Sequence, residues 1–196
     1  MKKFTKALAL VLTIALMIPS VAAFAATESP AKTDISAATV TAKTVTYNGK
    51  TQTASVTVKL DGKTLKKGTD YTVTTVKKKN AGKYKVTVKG IGNYTGSKTV
   101  TWTIKKANQK VTATPAKKTI TRKSLKKAKS FTIKVKGNKS KTITYKSSNS
   151  KVVKVSKTGK VTVVKNAKKG KYTVTVTVAG TKNYNKAVKK ITVTVK

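Results

Sequence analysis

Gly170-Lys171-Tyr172-Thr173-Val174-Thr175-Val176-Thr177-Val178 decides the fold class. Tyr172, Val174, Val176 and Val178 fall on one side of a period of two, and Thr173, Thr175 and Thr177 on the other. That alternation marks a strand with one face in a core and one in water. A near copy lies upstream, Gly82-Lys83-Tyr84-Lys85-Val86-Thr87-Val88. Each copy is followed by a Gly, then Asn-Tyr (Asn93-Tyr94 and Asn183-Tyr184), then an alternating terminal strand. The offset is 88 residues for the strands and 90 for the Asn-Tyr pairs. A spacing that long implies two tandem β-domains and excludes a solenoid.

The same period runs through the rest of the chain. Val56 and Val58 alternate with Thr57 and Lys59. Val100, Trp102 and Ile104 alternate with Thr99, Thr101 and Thr103, and Phe131, Ile133 and Val135 with Thr132, Lys134 and Lys136. Turn signals separate the runs, among them Asn48-Gly49, Asp61-Gly62, Gly137-Asn138 and Gly159. No segment after the first 25 residues shows a helical period. Short alternating strands at this spacing predict an all-β protein of half-solvated antiparallel sheets, a sandwich or a barrel. Residues 26–42, rich in Ala, Thr and Ser, read as a linker. Residues 43–106 and 107–196 read as the two modules, joined near Lys105-Lys106-Ala107-Asn108, with Pro115 opening the second.

Residues 1–25 read as a secretory signal. Lys2, Lys3 and Lys6 form a positive start, Ala7 to Ile18 an apolar run too short to span a membrane comfortably, and Ala23-Phe24-Ala25 a cleavage site. Cleavage there would take the formal net charge from +41 to +38. The expectation is an exported chain with no later membrane span, released or held noncovalently at the cell surface. With no Cys in the chain, stability must come from packing alone.

Composition excludes most chemistry. From Tyr71 to Lys196 there is no Asp, Glu, His or Cys. The carboxylates after the signal are Glu28, Asp34, Asp61 and Asp70. Glu28 and Asp34 fall in the linker, Asp61 precedes a turn glycine, and Asp70 precedes a strand. General acid–base catalysis needs two positioned titrating groups, calcium several oxygen ligands, and zinc His, Cys or carboxylate. No catalytic residue, cofactor or metal site is predicted, and the chain reads as not an enzyme. A Lys–Asn or Lys–Asp isopeptide bond would need Asp61 or Asp70 as its acid. The outward threonine ladders invite an ice-binding reading, but Thr is also simply a good exposed strand residue.

The positive feature is lysine. Of 45 basic residues, Arg122 is the sole arginine. Lysine is a hydrated point charge, so this composition fits nonspecific attraction to polyanions better than base-specific readout. The candidate polyanion-binding clusters are Lys77-Lys78-Lys79, Lys117-Lys118, Arg122-Lys123, Lys126-Lys127-Lys129 and Lys168-Lys169-Lys171. Partners outside a cell would be anionic cell-wall polymer such as teichoic acid, host glycans, nonspecifically bound nucleic acid, or phospholipid headgroups. Against this stands the plain account that lysines solvate strand faces and blunt sheet edges.

Two stretches carry a family resemblance. Ile143-Thr144-Tyr145-Lys146-Ser147-Ser148-Asn149-Ser150, Lys151-Val152-Val153-Lys154-Val155-Ser156 and Thr158-Gly159-Lys160-Val161-Thr162-Val163 resemble the group 2 bacterial Ig-like domain. In that family the Ser-Ser-Asn run ends a strand and Thr-Gly-Lys-Val is a tight turn into the next; Tyr145 stands where a Trp is usual. Tyr47-Asn48-Gly49-Lys50, Leu65 through Gly68-Thr69-Asp70-Tyr71, and Gly82 through Asn93-Tyr94-Thr95-Gly96 resemble a repeat of Gram-positive surface proteins. The resemblance implies two tandem Ig-like β-sandwich modules of the kind used as spacers or binding domains. The reading is a secreted or cell-surface adhesion module binding anionic polymer through lysine. The alternatives are a structural spacer whose charge serves solubility, and a cationic membrane-active effector. The lack of an amphipathic helix speaks against the last.

Overall fold

The computed structural model describes residues 30–196, so the signal-peptide reading and Glu28 lie outside the described residues. Lys32–Lys196 forms one compact unit. The strands up to Lys106 are β1 (Thr33–Asp34), β2 (Thr39–Ala42), β3 (Val45–Thr46), β4 (Gln52–Thr53), β5 (Val56–Leu60), β6 (Lys63–Thr64), β7 (Tyr71–Val73), β8 (Lys77–Lys78), β9 (Gly82–Gly90), β10 (Tyr94–Thr95) and β11 (Ser97–Lys105). Beyond it come β12 (Thr112–Thr114), β13 (Lys117–Ile120), a 3-10 turn (Arg122–Lys126), β14 (Lys129–Thr132), β15 (Lys134–Lys136), β16 (Ile143–Ser147), β17 (Val153–Val155), β18 (Lys160–Val163), β19 (Gly170–Val178) and β20 (Ala187–Val195). The protein is all-β, and every sheet draws its strands from one side of Lys106.

The second half is a sandwich of two sheets, β13-β20-β19-β16 and β14-β18-β17. With β16, β19 and β20 as strands C, F and G, and β14, β18 and β17 as B, E and D, this is the strand order of an immunoglobulin sandwich. Alternation carries the packing. Val174, Val176, Ile191, Val193 and Val195 from one sheet meet Val153, Val161 and Val163 from the other in one buried cluster. The first half repeats the plan with β3-β11-β9-β7 facing β2-β5-β6. Its core holds Val58, Tyr71, Val86, Val88, Ile104 and the fully buried Trp102. The Trp102 indole N–H donates to Lys43 O at 3.0 Å, so burying this large ring leaves no orphaned donor. Burial pushes the Tyr71 and Tyr145 phenols above their usual pKa.

The period-two strands lie where the sequence places them, with three differences. Residues 33–42 are not linker. Ile35 and Ala38 are 0% and 1% exposed, β1 pairs β10, and β2 pairs β5. The Ala/Thr/Ser composition hides Ile35 and Ala38, which are buried between the two short strands. Nor are the sheets purely antiparallel. β3 runs parallel to β11, and β13 parallel to β20, so each half lays an early strand beside its last. The Phe131–Val135 alternation also changes partner midway, because β14 pairs β18 while β15 pairs β12.

The two halves meet through the Asn-Tyr motif of the second. The Ala107 N–H donates to Asn183 O at 3.0 Å. Asn183 Oδ1 accepts from the Ala81 N–H at 2.8 Å, and its Nδ2 donates to Asn80 Oδ1 at 2.9 Å. The Tyr184 ring stands edge-on to Tyr47, with centroids 5.4 Å apart. Beside it Gln109, 8% exposed, donates to Ala179 O and Asn185 O and accepts from the Lys139 N–H.

Candidate functional site

Two of the described carboxylates accept from backbone N–H groups. Asp34 Oδ1 accepts from the Ser36 N–H at 2.8 Å, and Asp70 Oδ2 from the Lys66 N–H at 2.7 Å. Asp61 and Gly62 both have positive φ (48° and 78°) in the two-residue turn joining β5 to β6. A turn of that hand favours Asp-Gly for steric reasons. Among the described residues no three of His, Cys, Asp and Glu gather as metal ligands, and no helix is long and apolar enough to cross a membrane.

The resembling stretches fold as local turn chemistry. Ser147 Oγ accepts from the Asn149 N–H, and Asn149 Oδ1 from the N–H groups of Lys151 and Val152 at 3.0 and 3.2 Å, which ends β16. Ser156 Oγ accepts from the N–H groups of Thr158 and Lys160 at the tight turn into β18. Gly159, with φ 79°, lies under the Tyr145 ring; a Cβ there would come within 2.9 Å of it.

All thirteen predicted basic residues are exposed. The structure sorts them by place. Lys77 and Lys78 form β8, and Lys78 Nζ lies over the Tyr84 ring, 5.5 Å from its centroid. Lys117 and Lys118 lie on β13, Lys126 at the end of the 3-10 turn, Lys127 just after it, and Lys171 on β19. Lys118 and Lys129 line one cleft of about 340 Å³, floored by Ile120 and Phe131 and edged by Thr121, Ser124 and Ser130. Arg122, Lys123 and Lys169 line a second of about 370 Å³ together with Thr121 and Lys196. Thr121 borders both. Lys79, Lys117, Lys126, Lys127, Lys168 and Lys171 are not among the residues lining either cleft.

The 3-10 turn builds this region. Leu125 is fully buried and anchors it. Ser124 donates from N–H and Oγ to Thr121 O at 3.0 and 2.7 Å. The Arg122 N–H donates to Lys196 O at 2.7 Å, drawing Lys196 beside the sole arginine. Lys196 was not legible as a site residue, because only the parallel pairing of β13 with β20 places it there. A third cleft, of about 270 Å³, combines Asn108, Lys110, Gly137, Lys139 and the Tyr184 ring. It was equally hidden, since its residues lie far apart in the sequence and come together only within the folded second half.

No family model matches the chain, and no curated protein matches it. Among solved structures the chain is similar to Drosophila N-cadherin EC1-4, at 13% identity and TM-score 0.38, over 79% of this chain and 47% of that one. It is similar to the protocadherin gamma B7 extracellular cadherin domains 1-4, at 11% identity and TM-score 0.36, over 84% of this chain and 49% of that one. It is also similar to the S-layer protein rSbsC(31-844), at 20% identity and TM-score 0.30, over 84% of this chain and 28% of that one. The chain thus spans less than half of each of these proteins. At such scores the fold rests on the strand order itself.

Proposed function

We propose that the chain is an exported, non-enzymatic binding module that holds anionic polymer at or outside the cell surface through many weak lysine contacts. The observation that carries this is the pair of clefts that share Thr121, one lined by Lys118 and Lys129 and the other by Arg122, Lys123, Lys169 and Lys196. The surrounding sequence from Tyr71 onward offers no acidic side chain to neutralise them. Each exposed lysine contributes little alone, but a polymer that neutralises several releases its own counterions, so affinity sums and falls steeply with salt. Phospholipid headgroups and nucleic acid offer the same charge. Cell-wall polymer and glycans are the partners we favour, because the alternating strands present extended faces and few exposed aromatics for stacking.

The test is binding of the purified chain to teichoic-acid-bearing cell wall, heparin and duplex DNA across a salt series. Steep salt-dependent binding is the expected result. No binding to any of the three at physiological salt would overturn the reading. One observation favours a spacer instead: the Asn183–Tyr184 junction ties both halves into one compact unit, as a stalk requires. That reading predicts no salt-sensitive partner.

A further inference from the structure

The end of the first half that meets the second has a counterpart of matching strand register in the second half. Gly82 pairs with Ile104, and Gly170 with Val195. Ile104 in turn pairs with Val45, and Val195 with Ile120. Tyr47 therefore corresponds to Arg122. Their backbones make the same bond, from the Tyr47 N–H to Lys105 O at 2.8 Å and from the Arg122 N–H to Lys196 O at 2.7 Å. Asn80 likewise corresponds to Lys168, since Tyr84 Oη donates to the one carbonyl and Tyr172 Oη to the other. Ala81 then corresponds to Lys169.

Tyr47, Asn80 and Ala81 are the residues by which the first half grips Asn183 and Tyr184. The corresponding end of the second half keeps the concavity but replaces these three by Arg122, Lys168 and Lys169. A second copy of this strongly cationic chain would be repelled there, and the Asn and Tyr side chains that hold the joint are gone. What remains is a cleft of about 370 Å³ lined by Thr121 and four basic residues, largely through their aliphatic stems. It contains the one side chain of the molecule suited to bidentate recognition of a tetrahedral oxyanion. The Lys169 N–H also stands where the Ala81 N–H binds an amide oxygen in the joint.

We infer that Arg122, Lys123, Lys169 and Lys196 form a site for a single phosphate group of an anionic polymer, at the position where the first half holds its neighbour. The inference deepens the polymer-binding reading and rests on it for the class of ligand. The lysine surface attracts the chain of charges, and this cleft seats one of them.

The experiment is an amide-shift NMR titration with inorganic phosphate, paired with calorimetry on poly(glycerol phosphate), for wild type, Arg122→Lys and, on the exposed face of β5, Lys59→Gln. Arg122→Lys keeps the charge and removes only the planar fork. The expected result is phosphate-dependent shifts at Thr121, Arg122, Lys169 and Lys196. Arg122→Lys should weaken both ligands about tenfold, the scale of one lost hydrogen bond to a charged group, with the salt slope unchanged. Lys59→Gln should leave phosphate binding as it is. Polymer binding without shifts at these amides, or equal affinity in wild type and Arg122→Lys, overturns the site and leaves the general reading standing. Phosphate shifts at the cleft with no polymer binding support the site and overturn the general reading.

Discussion

Tyr84 Oη donates to Asn80 O at 2.7 Å, and Tyr172 Oη to Lys168 O at 2.9 Å. In each half a tyrosine near the start of the first of the two nine-residue strands folds back on the chain four residues upstream, the tyrosine corner of immunoglobulin sandwiches. The Gly two residues before it makes room: a Cβ on Gly82 would lie 3.0 Å from the Tyr84 hydroxyl. Losing either bond costs about 1 kcal/mol when a carbonyl is left without its donor. The Tyr84 bond is partly buried and the Tyr172 bond exposed, so water replaces the second more easily. Tyr84→Phe should therefore lower the urea midpoint more than Tyr172→Phe. Equal effects would mean that the partial burial of the Tyr84 bond adds nothing to its contribution.

At the scale of the element, the first ten described residues of the sheet framework are the instructive case. Ile35 is fully buried beside Val58, Leu60 and Tyr71, on a stretch whose composition reads as a spacer. Truncating a buried isoleucine costs about 2–5 kcal/mol, whereas a change in a solvated linker stays within about 0.5 kcal/mol. Thermal or urea unfolding of Ile35→Ala decides between these, and we expect the larger loss. The long strands β9, β11, β19 and β20 were legible because nine residues give the period of two room to repeat. Two-residue strands such as β1 and β3 have no period to read and exist only through their partners. The same holds for the site. Lysine clusters adjacent in sequence were visible as charge, but the meeting of Arg122 with Lys169 and Lys196 depends on which strand lies beside which.

At the scale of the molecule, the same Asn-Tyr loop does two jobs. In the first half the Thr33 N–H donates to Asn93 O, as the Ala107 N–H does to Asn183 O in the second. Each loop thus clasps the chain that leads into its own half. For the second half that chain arrives from a folded neighbour, and the Asn183 and Tyr184 side chains go on to grip it. The grip opposes a large repulsion, since both halves are cationic and like charges favour separation. Salt screens that repulsion over about 8 Å at physiological strength, so the joint should be most dependent on its specific bonds when salt is low. Asn183→Ala removes the bonds to Ala81 and Asn80 while leaving the backbone clasp at Ala107 intact. In small-angle scattering the wild type should keep one maximum dimension from low to high salt. Asn183→Ala should lengthen and broaden at low salt and return toward the wild-type profile as salt rises. A variant with the wild-type profile at every salt concentration would mean that the tyrosine contact and the Ala107 pairing hold the halves by themselves.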